Sequence, residues 1–471
     1  MLFNSIPFLI LFLFTYLLYW NIDDKYKKYV LAGSSFLFYI YYDVLATVHF
    51  FTVIAVNFYF SEKMFIAKQK GEDTGKLLKI ILGLNLVNLA FFKYFYFLLD
   101  SFFSLTNSQM FKDLSSSVNI ILPLAISFYT FQLIAIQVDI HRGRVLEKIT
   151  FFDYTIFIIF FPQLIAGPIM RTSDFLPRLS KPVITSDSMK SGIFLLIIGL
   201  FKKVVIADNV GSLIAPVYMD PDKYHFVSIF IAFLGFAAQV YSDFSGYTDM
   251  ARGLALLLGF EIPENFTGPF YSASFSELWS RWHITLSTWL RDYLYIPLGG
   301  NAKGFHMSNV NMFITMVLGG LWHGANLAFI LWGAYFGIIL WIERIFFSKG
   351  YSLVPKNPIL LFFKRMFVFV LFSLSAIFFR SGAYGTDSSA VMYKLASDFF
   401  GMNKGRGISG RDEVILYIFL ALLLNFFQYN PQIVSRWKKY QNFLLPVASL
   451  LIFLLLGLFG DGGGDFIYFQ F

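Results

Sequence analysis

The sequence predicts an all-α fold, that of a polytopic integral membrane protein, on three observations. Apolar residues make up 57% of the chain and charged residues only 14%, against about a quarter charged in soluble domains. The apolar residues fall into stretches of about 20, the length that crosses a bilayer as a helix. Short segments rich in lysine and arginine separate those stretches, as expected of loops on the cytoplasmic side. Together these predict about 10–12 transmembrane helices, with re-entrant and interfacial helices besides. They are expected in one membrane domain over residues 1–471, with a catalytic core at about 120–345.

The elements follow in order. The first span, MLFNSIPFLILFLFTYLLYW, has no basic residue before Lys25, so it lacks the n-region of a cleavable signal peptide and reads as entering from outside. Lys25, Lys27 and Lys28 follow, and a second basic cluster, Lys63 to Lys79, comes after an apolar stretch over 30–60. Basic flanks on both sides predict a hairpin pair there. Residues 77–99 span outward and 120–139 return to the basic HRGRVLEK. The stretch 151–168 carries Pro162, Gly167 and Pro168 between basic flanks and predicts a broken, re-entrant element, tolerated at depth only where protein or water lines it. Residues 191–215 and 226–244 form the next two spans, the second ending in a polar tail, QVYSDFSGYTDMARG, expected near the cytoplasm. Later spans are read at 325–342, 359–379, 413–429 and 442–460, with Arg380 to Asp412 as an exterior loop. Parity then leaves both termini extracytoplasmic.

The stretch Phe275–Phe336 carries three of the six histidines, of which His283 and His323 are the candidates for chemistry. Ser274 and Glu277 have the form of a capping box, and Pro297, Gly299 and Gly300 supply a stop. Between them Phe275, Trp279, Trp282, Leu286, Trp289 and Tyr293 recur at helical steps. Ser276, Ser280, His283, Ser287 and Arg291 make a polar stripe, so one interfacial helix with His283 on its polar face is expected.

From Asn311 to Trp341 the chain has no Asp, Glu, Lys or Arg and a single histidine, His323. Counted from Ser308 it lies roughly 20 Å into a core about 30 Å thick. An imidazole held there is a candidate functional group, because hydrocarbon offers its nitrogens no water. A packing role, with the ring hydrogen-bonded between helices, is the alternative. Gly319, Gly320 and Gly324 flank it and would let a helix or slender substrate approach. Asp243 and Asp249 in the polar tail, Ser287 and Arg291 on the stripe, and Asn326 beside His323 are candidate substrate contacts.

There is no cysteine, which excludes thiolate nucleophiles and disulfides. No HExxH, phosphate-cradling glycine loop or GxSxG is present. What the residues allow is general-base chemistry by imidazole, a neutral His taking a proton from a hydroxyl. The net charge of +8 sits in loops and does not imply nucleic acid.

RWHITLSTWLRDYLYIPLGG followed by LGGLWHGANLAFILWG resembles the membrane-bound O-acyltransferase family, closely its bacterial branch of alginate O-acetylation proteins and peptidoglycan O-acetyltransferases. ILPLAISFYTFQ, FFPQLIAGPIMR, FKKVVIAD, ENFTGPFYSASF and the terminal FIYFQF agree, so the likeness runs along essentially the whole chain. The resemblance places the family's invariant histidine on His323 and its second polar position on His283. It implies a helix bundle with funnels from both faces and an acyl thioester donor such as acetyl-CoA; no metal is expected, since the sequence has no metal-ligand spacing. It also implies an inner-membrane location, an envelope polysaccharide as acceptor, and a periplasmic or membrane-anchored partner acetyltransferase of the SGNH type. Teichoic acid D-alanyl transferases share the RWH and WHG patterns, so D-alanyl transfer is one alternative; a non-enzymatic subunit of a polysaccharide exporter is another.

Overall fold

Polar side chains cross-link apolar helices throughout the computed structural model, which describes residues 1, 3–118, 120–352, 354–384, 391, 394, 397, 405–437, 441–459 and 466. Among these residues no sheet forms; two isolated bridges are the only extended pairings. Among the described residues six helices are long and apolar enough to cross a membrane: Val44–Gln69, Gly75–Thr106, Phe226–Leu257, Leu327–Ser348, Pro358–Tyr384 and Arg411–Tyr429. The chain folds as two compact units, Met1–Ile193 with Ala251–Pro263, and Phe194–Met250 with Glu264–Phe471.

In the first unit α1 (Ile6–Asn21) and α2 (Asp24–Ile40) are joined by the Thr15 hydroxyl donating to Ser34 Oγ at 2.7 Å. The apolar stretch 30–60 is a hairpin as expected: a tight turn after α2, then α3 (Val44–Gln69), capped by Asp43 accepting from Ala46 N at 2.7 Å. Asn57 on α3 and Asn85 on α4 (Gly75–Thr106) exchange amide hydrogen bonds of 3.0 and 2.8 Å, and Gln137 adds a bond to Asn57. In lipid such amides act as glue between helices that have no hydrophobic reason to associate. A short α5 (Gln109–Ser117) precedes α6 (Ile126–His141), whose residues are nearly all buried.

The proline-interrupted stretch is broken as its sequence requires. It forms α7 (Phe151–Ile159), a single turn α8 (Phe161–Leu164), and irregular backbone to Met170, all buried beyond Phe152 and Asp153. A Cβ at Gly167 would fall 2.6 Å from the Gln163 Cα, so only glycine fits. Then come α9 (Thr172–Leu179) and α10 (Ser186–Leu200).

In the second unit α10 continues as a π-helix, Phe201–Asp208, and then α11 (Asn209–Met219). Two consecutive lysines on this π-helix, Lys202 and Lys203, are buried. Their partners are Asp249 and Asp243 on α12 (Phe226–Leu257) and Asp208 on the π-helix itself. Lys202 Nζ is 2.6 Å from Asp249 Oδ2, and Lys203 Nζ is 2.7 Å from both Asp208 and Asp243. This corrects the expected end of the span at 244: the polar tail is the middle and end of one 32-residue helix, fully buried around Asp243. With each carboxylate paired, the helix need not stop to solvate them. Glycines allow the contact, since a Cβ at Gly199 would lie 2.6 Å from the Gly246 carbonyl oxygen.

Two further expectations are corrected. The helix read over 275–293 is two, α13 (Phe275–Arg281) and α14 (Ile284–Leu290), followed by a π turn, Arg291–Tyr295. They break at His283, whose φ of +42° is left-handed. And Arg380, assigned to an exterior loop, is buried on α18 (Ala376–Tyr384), which follows α17 (Pro358–Leu374). Its guanidinium donates to Gln239 Oε1 and stacks on Tyr218, Phe236 and Tyr384, which substitute for water. α15 (Gly304–His323) and α16 (Leu327–Ser348) form an antiparallel hairpin. Most of 385–404 and of the terminal FIYFQF lie outside the described residues; Phe466 stacks on Tyr247 at 4.6 Å.

Candidate active site

His323 is the last residue of α15, 4% exposed, at the inner end of a cavity of about 320 Å³. Gly319 on α15 opens that cavity one turn below the imidazole. The α15–α16 hairpin is tight because its contact is glycine on backbone: a Cβ at Gly320 would lie 2.2 Å from the Phe329 carbonyl oxygen, and one at Gly333 2.3 Å from that of Met316. Asn326, a candidate substrate contact, instead caps α16 through Oδ1 accepting from Ala328 N at 2.8 Å, which fixes the turn directly after His323. The ring sits in an aromatic cage, with centroids of Trp322 at 5.0 Å, Trp332 at 5.1 Å and Phe379 at 5.2 Å.

The cavity runs along α15. Its walls are largely apolar, Leu286, Leu290, Met312, Met316 and Leu340 among them, and its polar groups include Ser287, Arg291, Asn301 and Arg344. Arg344 contacts Ser308, fifteen positions before His323 on the same helix, or about 22 Å at the helical rise. So imidazole and guanidinium mark opposite ends of a slender channel.

Arg344 is held as a fork. Nη2 donates to Asn301 Oδ1 at 3.1 Å and Ser308 Oγ at 3.0 Å, and Nη1 to the Ser308 carbonyl at 3.3 Å. All its described partners are neutral, so its charge is uncompensated and suits an anion. Nothing in the sequence singles Arg344 out, because a basic residue after an apolar span reads as a topology signal. Its neighbour Glu343 is buried and accepts from the Phe275 and Ser276 amides at 2.7 and 2.9 Å, a cap on α13 supplied from a distant helix.

His283 does not lie on an exposed polar stripe; it is 1% exposed. Its ring packs edge-on against Phe244 at 4.6 Å and lies 6.1 Å from Trp322, which also touches His323. The two histidines are thus linked through one tryptophan. Pairing with Asn265–Thr267 imposes the left-handed turn: Thr267 N donates to the Arg281 carbonyl, Ile284 N to that of Asn265, and the Thr285 hydroxyl to Asn265 Oδ1 at 2.7 Å. The expected cap is present, Ser274 Oγ accepting from Glu277 N at 3.1 Å. Burial holds the His283 pKa down to about 3, so the ring is neutral at working pH.

Of the other candidate contacts, Ser287 and Arg291 line the cavity. Asp243 and Asp249 do not; they neutralise Lys203 and Lys202. No group of three or more His, Cys, Asp or Glu side chains placed to hold a metal occurs among the described residues.

Comparison with known proteins places these features. Residues 75–381 match the family model of MBOAT, the membrane-bound O-acyltransferase family. The "Probable alginate O-acetylase AlgI" of Pseudomonas putida is 34% identical over the full length of both chains. The "Peptidoglycan O-acetyltransferase" of Helicobacter pylori is 34% identical over 76% of this chain and 72% of its own. The "Teichoic acid D-alanyltransferase" of Bacillus subtilis is 28% identical over 51% of this chain and 64% of its own. The chain therefore belongs to the membrane-bound O-acyltransferase family, as a multi-pass membrane O-acyltransferase.

Proposed function

We propose that this chain takes an acetyl group from a cytosolic thioester, acetyl-CoA, and passes it to hydroxyls of an extracytoplasmic envelope polysaccharide, alginate-type or peptidoglycan. It would do so from the inner membrane, both termini outside, directly or through an SGNH-type partner acetyltransferase. The observation that carries this is the channel with the His323 imidazole at one end and, at the other, the Arg344 guanidinium, whose described partners are all neutral. A thioester on a long flexible arm with phosphates at its far end matches that layout, the phosphates on Arg344 and the thioester beside His323. The match to acetylases over the full chain, against about half for the D-alanyl transferase, supports acetyl.

In the reaction the acceptor hydroxyl oxygen attacks the thioester carbonyl carbon while His323 takes its proton. The C–S bond then breaks, and the thiolate leaves with the proton returned from the imidazolium. His283 acts as a positioning residue: its turn sets Trp282, and its ring backs Trp322. Purified protein given labelled acetyl-CoA and an acceptor glycan should form labelled ester, lowered roughly 10²–10⁴-fold by His323→Ala, the range typical of a lost general base. Export of polysaccharide with no labelling would favour the exporter reading instead.

A further inference from the structure

His323 also opens onto a second, much smaller recess. It is walled by Phe236, Ala237 and Val240 of α12, Phe372 of α17, and Ala376 and Phe379 of α18, and both His323 and Trp332 open onto it. Its free volume is about 20 Å³. Roughly 10–15 Å³ holds one water-sized group, so the recess admits a single group of methyl size.

Its chemistry is as restrictive as its size. The one hydroxyl in the wall, Ser375, is already engaged, donating to the Phe372 carbonyl at 2.6 Å and accepting from Trp332 Nε1 at 3.3 Å. A sugar ring neither fits nor finds a partner. The Arg380 guanidinium lies 5.2 Å from the Phe236 ring centroid, so an ammonium brought to that wall meets a like charge. Size excludes an amino-acyl group as well, since its ammonium adds a heavy atom beyond the methyl that the recess admits. Dispersion contact with a methyl remains.

We propose that this recess is an acyl gauge: it takes the methyl of the acetyl group while the thioester carbonyl sits beside His323, and so excludes longer acyl chains and amino-acyl groups. Val240, Ala237 and Phe236 set its depth. This rests on the acyl-transfer reading above, and assigns specificity to residues with no part in the proton transfer.

The test is competition on the full-length protein in its membrane, with equal acetyl-, propionyl- and butyryl-CoA and one acceptor glycan, the esters counted by mass. The unaltered chain should prefer acetyl over propionyl by at least tenfold, since one methylene in an apolar pocket is worth about 10–200-fold. Val240→Ala should shift the propionyl-to-acetyl ratio upward by about tenfold, and Phe236→Leu should do the same from another wall. Ala237→Val should depress acetyl transfer. Equal use of the three donors by the unaltered chain, or an unchanged ratio in both enlarging variants while acetyl transfer persists, overturns the gauge alone. Absence of transfer from any donor in the unaltered chain overturns the acyltransferase reading, and the gauge with it.

Discussion

At the scale of single residues, His323 and His283 divide the work by their surroundings. His323 opens onto two voids, whereas His283 is sealed against Phe244 and near Trp322. Burial lowers the His283 pKa from its ordinary 6.5 to about 3. Its contribution to folding is therefore full above about pH 6.5, the unfolded value, and is lost as the pH falls toward 3. The melting temperature in detergent should fall between pH 7 and pH 5, and His283→Gln should flatten that dependence; an equal slope in both proteins would contradict the assignment. His323 was legible from sequence because an imidazole in an uncharged apolar run has few structural reasons to be there. His283 was found but misplaced: helical spacing of its neighbours hid a left-handed turn imposed by Asn265, 18 positions earlier in the chain.

At the scale of elements, the π-helix and the hairpin matter most. The Lys202–Asp249 pair is buried on both sides. Removing one partner strands the other, so Lys202→Met should cost roughly 3–5 kcal/mol, and Lys202→Met with Asp249→Leu distinctly less, by denaturation of the purified protein. Equal losses would mean the ions are solvated. On the hairpin, Gly333→Ala must push α15 from α16 and should destabilise by about 1–3 kcal/mol. It should lower transfer as well, because His323 ends the displaced helix. The spans over 30–60 and the break at 151–168 were readable from charge flanks and prolines. The length of α12 was not, because hydropathy treats Asp243 and Asp249 as solvent-seeking until their lysines are known.

At the scale of the whole molecule, the all-α membrane class follows from composition, and the O-acyltransferase family from motifs spread along the chain. What sequence could not supply was which polar residues converge. Arg344 and His323 lie 21 positions apart yet bound one channel, because a hairpin folds α16 back along α15. Arg344→Ala should raise the KM for acetyl-CoA about tenfold, in keeping with 1.5–3 kcal/mol for a charged hydrogen bond, while leaving kcat within a few-fold. An unchanged KM would remove the arginine from donor binding.

The most direct measurement is vectorial transfer in oriented proteoliposomes, with labelled acetyl-CoA on the face where Arg344 opens and acceptor glycan on the opposite face. Unaltered protein should place labelled ester on the acceptor, and His323→Gln, properly inserted, should abolish it. Full labelling by the His323→Gln protein would contradict a proton transfer at that imidazole.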